Sequence, residues 1–127
     1  MNNPIIIALD GMGGDKAPAI VVEGASIAAN KLVNVNFQLY GMQDTLAPIV
    51  KLFPNLEERL TIINTEDVVN SEDKPSQAIR RGRKSSMGLA IQAVKDGEAD
   101  AAVSAGNTGA LMAMSKIMLR MLPGIDR

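Results

Sequence analysis

Four short apolar runs, each followed by a turn and then a stretch with helical spacing, set the terms for anything this chain can fold into. The runs are "PIIIALD" (Pro4 to Asp10), Asn36 to Tyr40, "RLTIINT" (Arg59 to Thr65) and "ADAAVSA" (Ala99 to Ala105). Between and after them the spacing predicts helices. One lies in "APAIVVEGASIAANKL", with Ile20, Gly24, Ile27 and Ala28 in step and Pro18 in the first turn, where a missing N–H costs nothing. A second runs from Gln43 to Leu52 and breaks at Pro54. A third is "SSMGLAIQAVKDG", capped by Ser85 or Ser86 and closed by Gly97. A fourth extends from about Gly109 to Leu122, ended by Pro123 and Gly124. Strands alternating with helices predict a parallel sheet covered on both faces, because right-handed crossovers place the helices there. Such sheets collect ligands beyond the carboxyl ends of their strands.

The most polar stretch, "EDVVNSEDKPSQAIRRGRKSS", reads as an exposed connection with a short helix from Pro75, for which Ser71 or Asp73 is the N-cap. The chain has 127 residues, enough for one compact domain. Its last residues, "GIDR", fall where the alternation calls for another strand, so a single partial α/β domain is expected.

Composition removes several kinds of chemistry. There is no cysteine and no histidine, which excludes a thiolate zinc site and a Ser-His-Asp hydrolase within the chain. No acidic cluster has the spacing of a dedicated metal site. With 13 basic and 14 acidic residues, no global field draws the protein to nucleic acid or an anionic membrane. Three aromatics, Phe37, Tyr40 and Phe53, are too few for a base-stacking platform. The amino terminus has no secretory pattern and no apolar run is long enough to span a bilayer, so a cytoplasmic protein is expected.

Two glycine-rich turns fall at strand ends. In "DGMGGDKAP" (Asp10 to Pro18) Gly11, Gly13 and Gly14 allow backbone N–H groups to approach a ligand, and the following helix aims its positive end at the turn. An anion suits that arrangement. The spacing is neither a dinucleotide fingerprint, whose third glycine would fall at Lys16, nor a Walker A loop. It equally describes a tight strand-to-helix turn in which Asp15 is only an N-cap. In "SAGNTGA", Ser104, Asn107 and Thr108 supply donors while Gly106 and Gly109 free the backbone, which suits phosphate oxygens or the oxygen of a carbonyl under attack. A plain capped helix start, with Asn107 or Thr108 as the cap, has the same pattern. "RRGRKSS" concentrates Arg80, Arg81, Arg83 and Lys84 ahead of Ser85 and Ser86, a docking place for a phosphate dianion or an acidic protein, or simply a solvated face. Met112, Met114, Met118 and Met121 read as adaptable core filler or a subunit interface.

Taken in order and at these intervals, "ALDGMGGDKAP", "RKSSM" and "SAGNTGALMA" resemble the amino-terminal part of the bacterial phosphate acyltransferases of phospholipid synthesis. The resemblance implies a three-layer α/β/α fold with a mostly parallel sheet, similar to the isocitrate and isopropylmalate dehydrogenases. It also implies transfer of a fatty acyl group from acyl carrier protein to inorganic phosphate, giving acyl phosphate. No cofactor is implied; a homodimer and peripheral association with a membrane acyltransferase are. Carried onto this sequence, the substrate-binding positions are Gly13, Gly14, Lys84, Ser85, Ser86, Ser104, Gly106 and Gly109, and Lys16 joins them as a cation able to attract phosphate. The catalytic positions are Asp10, Asp15, Asn107 and Thr108. Gly11 departs from the alanine common in the family, and Lys16 stands where histidine is frequent. A truncated non-catalytic piece, or a nucleotide-binding enzyme such as a dehydrogenase, is the alternative reading.

Overall fold

A computed structural model describes residues 3–69, 73, 74, 76 and 82–119. Four parallel strands, β1 (Ile5–Asp10), β2 (Val35–Gly41), β3 (Leu60–Asn64) and β4 (Ala101–Val103), form one sheet in the order β3-β2-β1-β4. Four α-helices are described: α1 (Ala19–Lys31), α2 (Gln43–Val50), α3 (Ser86–Lys95) and α4 (Thr108–Leu119). Single 3₁₀ turns occur at Pro54–Leu56 and Gly82–Lys84.

Side-chain parity sorts the layers. Ile7 and Leu9 of β1 stand in register with Phe37 and Leu39 of β2, which pair in turn with Leu60 and Ile62 of β3. This face packs on Val22, Ala25 and Ala29 of α1 and Leu46 of α2. The alternate residues, Ala8, Tyr40 and Ala102, with Ile6 and Ile63, turn the other way and meet Ala90 and Ala93 of α3. Helix α4 lies outside α3 through Met114, Met118 and Ala110 against Met87 and Ile91. The result is the expected helix–sheet–helix layering with every strand parallel.

The strand order is itself informative. From β1 the chain moves outward to β2 and β3 on one side, then returns to place β4 on the other. Neighbouring crossovers therefore diverge at the carboxyl ends of β1 and β4, the place where sheets of this kind ordinarily take their ligands. Both glycine-rich turns leave from those two strand ends.

Several expected details are revised. Helix α1 occurs, with Pro18 at its N-cap, but Ile20 and Ile27 are half exposed and Gly24 faces open space, while Val22, Ala25 and Ala29 are buried. Its apolar residues nearly encircle the helix, so spacing alone did not choose the buried side. The run Ala99 to Ala105 contributes only three residues to the ladder. Asp100 closes its start, accepting at Oδ2 from the Ile6 amide at 2.8 Å while its own amide donates to the Ile6 carbonyl at 2.8 Å. The polar connection is exposed at Glu66 and Asp67, as expected, but Asp67 forms a bridge with Ser85, and Val69 is buried against Met87 and Ile91. Within its remainder Ser71, Pro75, Arg80 and Arg81 lie outside the described residues, as do Met121, Leu122, Pro123 and Gly124.

One side chain ties the amino-terminal half together. The Arg59 guanidinium donates to the carbonyls of Ala29, Leu32 and Val35, the last at 2.7 and 3.1 Å from two nitrogens. A cation at the carboxyl end of α1 satisfies acceptors that the helix leaves open and complements its dipole.

Candidate active site

Asp10 is the last residue of β1, and parity turns its side chain toward α3. It is 3% exposed. Its Oδ1 accepts the Ser86 hydroxyl at 2.6 Å and the Met12 amide at 3.1 Å, and its Oδ2 accepts the Ser104 hydroxyl at 2.8 Å. One carboxylate thus joins the first loop, the start of α3 and the turn after β4. Charge-assisted bonds of this kind are short and strong, and the amino end of α3 favours a negative charge beside it.

The two glycine turns touch. A Cβ on Gly106 would lie 3.2 Å from the Gly13 Cα, and a Cβ on Gly14 would lie 3.1 Å from the Ala105 carbonyl oxygen. Gly13 has no alternative, since its Cβ would fall 2.4 Å from Asp10 Oδ2. Gly14 has a φ of 104°, a conformation that side chains rarely adopt. Hydrogen bonding divides the backbone amides here into two groups. Those of Gly11, Met12 and Gly106 are already paired, to the Tyr40 carbonyl, Asp10 Oδ1 and Ser104 Oγ. Among the described residues, the amides of Gly13 and Gly14 have no such partner.

The remaining expected residues fall into an engaged set and an exposed set. Ser85 is the N-cap of α3; its hydroxyl donates to the Gly82 carbonyl and accepts the Gly88 amide at 3.0 Å. Ser85 and Ser86 are both fully buried, so neither hydroxyl faces open solvent. Asn107 caps α4 by accepting the Ala110 amide at 3.0 Å, and its Nδ2 donates to the Asp73 carbonyl at 2.6 Å. Asp15, Lys16, Lys84, Thr108 and Gly109 are exposed. Arg83 is exposed beside Lys84, and Met112 is exposed on α4, whereas Met114 and Met118 fill the core.

Two neighbours were not singled out from the sequence. Ala105 supplies the carbonyl that Gly14 approaches, and Met87 Cε lies 3.4 Å from the Cβ position of Gly106. Their residue types carry no chemical signal; only the adjacency of β1 and β4 brings them in. Thr65, beyond the end of β3, is buried with its hydroxyl unpaired among the described residues. No group of His, Cys, Asp and Glu suited to a metal ion occurs among the described residues.

A doubly wound parallel sheet whose two glycine turns meet at its switch point defines the class of this protein as α/β. Comparison with known proteins narrows this class. Residues 5–127 match the family described as "Fatty acid synthesis protein", and the chain belongs to that family. It is 52% identical over its whole length to a phosphate acyltransferase of Paramagnetospirillum magneticum and 54% identical to one of Parvibaculum lavamentivorans. It is also 50% identical to a phosphate acyltransferase of Rhodospirillum rubrum. The chain spans 36% of the length of each of these three relatives.

Proposed function

We propose that this chain forms the phosphate-binding part of an acyltransferase that moves a fatty acyl group from acyl carrier protein to inorganic phosphate. The observation that carries this reading is the contact between the Gly13–Gly14 turn and the Gly106 turn at the sheet's switch point. The free amides of Gly13 and Gly14, the first turn of α4 with Thr108 and Gly109, and the charges of Lys16 and Lys84 then surround a phosphate. Asp10 does not touch it, since both carboxylate oxygens are occupied within the protein. Its role, with Ser86 and Ser104, is to hold the two turns in one geometry. Ser85 and Asn107 do the same for the helix starts, and Asp15 orients the first loop.

Phosphate is largely ionised near neutral pH and needs little help from a base, which suits a chain without histidine. An oxygen of the bound phosphate attacks the thioester carbonyl. The carbonyl oxygen becomes an oxyanion, stabilised by Thr108 and the amides of the α4 turn. The carbon–sulfur bond then breaks, the carrier-protein thiolate leaves and takes a proton from water, and an acyl phosphate remains. Interruption of the dinucleotide spacing at Lys16 disfavours a nucleotide-dependent dehydrogenase.

The test is to count thiol released from acyl carrier protein thioester by a chimera in which this chain replaces the matching first third of the P. magneticum relative. Release should require phosphate, and Thr108→Ala should slow it on the order of 10²-fold, the typical loss of one oxyanion donor. Release at the same rate without phosphate, or an acyl group recovered on the protein, would overturn the proposal.

A further inference from the structure

On the α1 side of the sheet an open groove of about 410 Å³ runs between α1 and the edge formed by β1 and β4. Its lining is apolar along nearly its full extent, with Ile7 and Leu9 on the floor, Ile20, Val21 and Ala28 on the helix wall, and Val103 on the strand. Ile20 is 49% exposed and Val103 54% exposed. Strand β4 is hydrogen-bonded to β1 on one side, and it is the last strand of the described sheet on the other.

Parallel strands are ordinarily covered on both faces, and an open apolar edge is a template for further chain. Contiguous exposed apolar surface of this kind marks a contact site. The opposite face of β4 is already covered, through Ala102, by the α3 layer. Among the described residues, what is open is therefore one face and one edge of the same strand, a shape that a packed polypeptide element completes. Relatives at 50% identity and above carry roughly two thirds of their length outside the region this chain matches.

We propose that this groove seats polypeptide from that remaining two thirds of a family-length protein, laid across Gly24 and Ala28 of α1 and along the open side of β4. The inference rests on family membership and on the exposed face, and is independent of the reaction proposed above.

Because the chain has no cysteine, single cysteines report access directly. A Cβ at Gly24 meets nothing within 4 Å, so Gly24→Cys fits without strain. Alkylation of Gly24→Cys and of Val103→Cys is followed by peptide mass mapping, in the chain alone and in the chimera that continues it with the P. magneticum sequence. Both sites should label on the order of 100-fold more slowly in the chimera, the signature of a site reached only by local opening. Leu52→Cys, at a residue 72% exposed beyond α2, should label equally in both. Ala8→Cys, at a fully buried position, should stay protected in both and so verifies folding. Equal labelling of Gly24→Cys and Val103→Cys in chain and folded chimera would overturn the proposal. So would protection of the chain alone that grows with its concentration, which assigns the groove to a second copy. Protection that appears only when a long-chain acyl thioester is added would overturn it in favour of a ligand.

Discussion

The Ser86 hydroxyl donates to Asp10 Oδ1 at 2.6 Å, joining two residues 76 positions apart in the chain. With Ser104 bonded to the other carboxylate oxygen, the end of β1 becomes the fixed point to which both later segments of the candidate site are referred. Replacing Asp10 by Ala leaves two hydroxyls without their acceptor, Ser86 fully buried and Ser104 partly so, and should cost about 3 kcal/mol or more, since bonds to a charged group contribute roughly 1.5–3 kcal/mol each. Ser86→Ala removes one donor and should cost about 1–3 kcal/mol. Urea unfolding of the two variants checks the order, and the double variant should lose less than the sum because the residues share one interaction.

Arg59 yields a prediction about shape rather than charge. Its planar fork reaches the carbonyls of Ala29, Leu32 and Val35 together. A lysine keeps the cation but presents it at a single point. Arg59→Lys should therefore lose most of what Arg59→Met loses, about 1–3 kcal/mol, the cost of leaving partly buried acceptors unpaired. Thermal melting of the pair separates the readings: a lysine variant as stable as the parent would show that charge at the helix end is what matters.

The sequence carried the layer order because short apolar runs, fit for strands buried on both faces, alternate with longer stretches of helical spacing. It carried the pairing of the two turns only in outline. That "DGMGGD" and "SAGNTG" lie at strand ends was legible; that β1 and β4 are neighbours was not, because it depends on which side of β1 the fourth strand joins. The dual use of Ser, Asn and Asp also hid the division of labour. Ser85 and Asn107 have the residue types of ligand donors and of helix caps alike, and both make capping hydrogen bonds in the structure. The buried side of α1 escaped because Ile20 and Ile27 outrank Ala25 and Ala29 in hydrophobicity, while small residues fit closest to the sheet.

Tyr40 gives the fold an alkaline limit. Burial against α3, and secondarily the negative charge of Glu98, raise its phenol above the ordinary value of 10.0. Its hydroxyl donates to Gln38 Oε1 at 2.9 Å. A folded-state pKa above the unfolded one means that the unfolded chain releases this proton first. The contribution is fully present below pH 10.0 and is lost as pH rises from there through the raised value. Denaturant titrations at increasing pH should show the parent falling more steeply than Tyr40→Phe above that point, although the variant starts lower for want of the bond to Gln38. Parallel curves would contradict the assignment.

Two glycines to alanine should move stability in opposite directions. At Gly24, inside α1, the added methyl meets nothing within 4 Å, so the substitution mainly reduces the freedom of the unfolded chain and suits the helix. It should stabilise by about 0.5–1 kcal/mol. At Gly13 the same methyl falls 2.4 Å from Asp10 Oδ2 and 3.0 Å from Ser104 Oγ. The atoms in the way are a buried, fully bonded carboxylate and its donor, neither a flexible chain end that can swing aside. Relief requires the loop to retreat or Asp10 to give up Ser104, so Gly13→Ala should destabilise by about 1–3 kcal/mol, as overpacking generally does. It should also weaken phosphate binding by the chimera, because the amides of Gly13 and Gly14 move with the loop. Calorimetric titration with phosphate, run on both variants, checks this: affinity should fall for Gly13→Ala and hold for Gly24→Ala, and equal affinity in the two would remove the first glycine turn from the anion site.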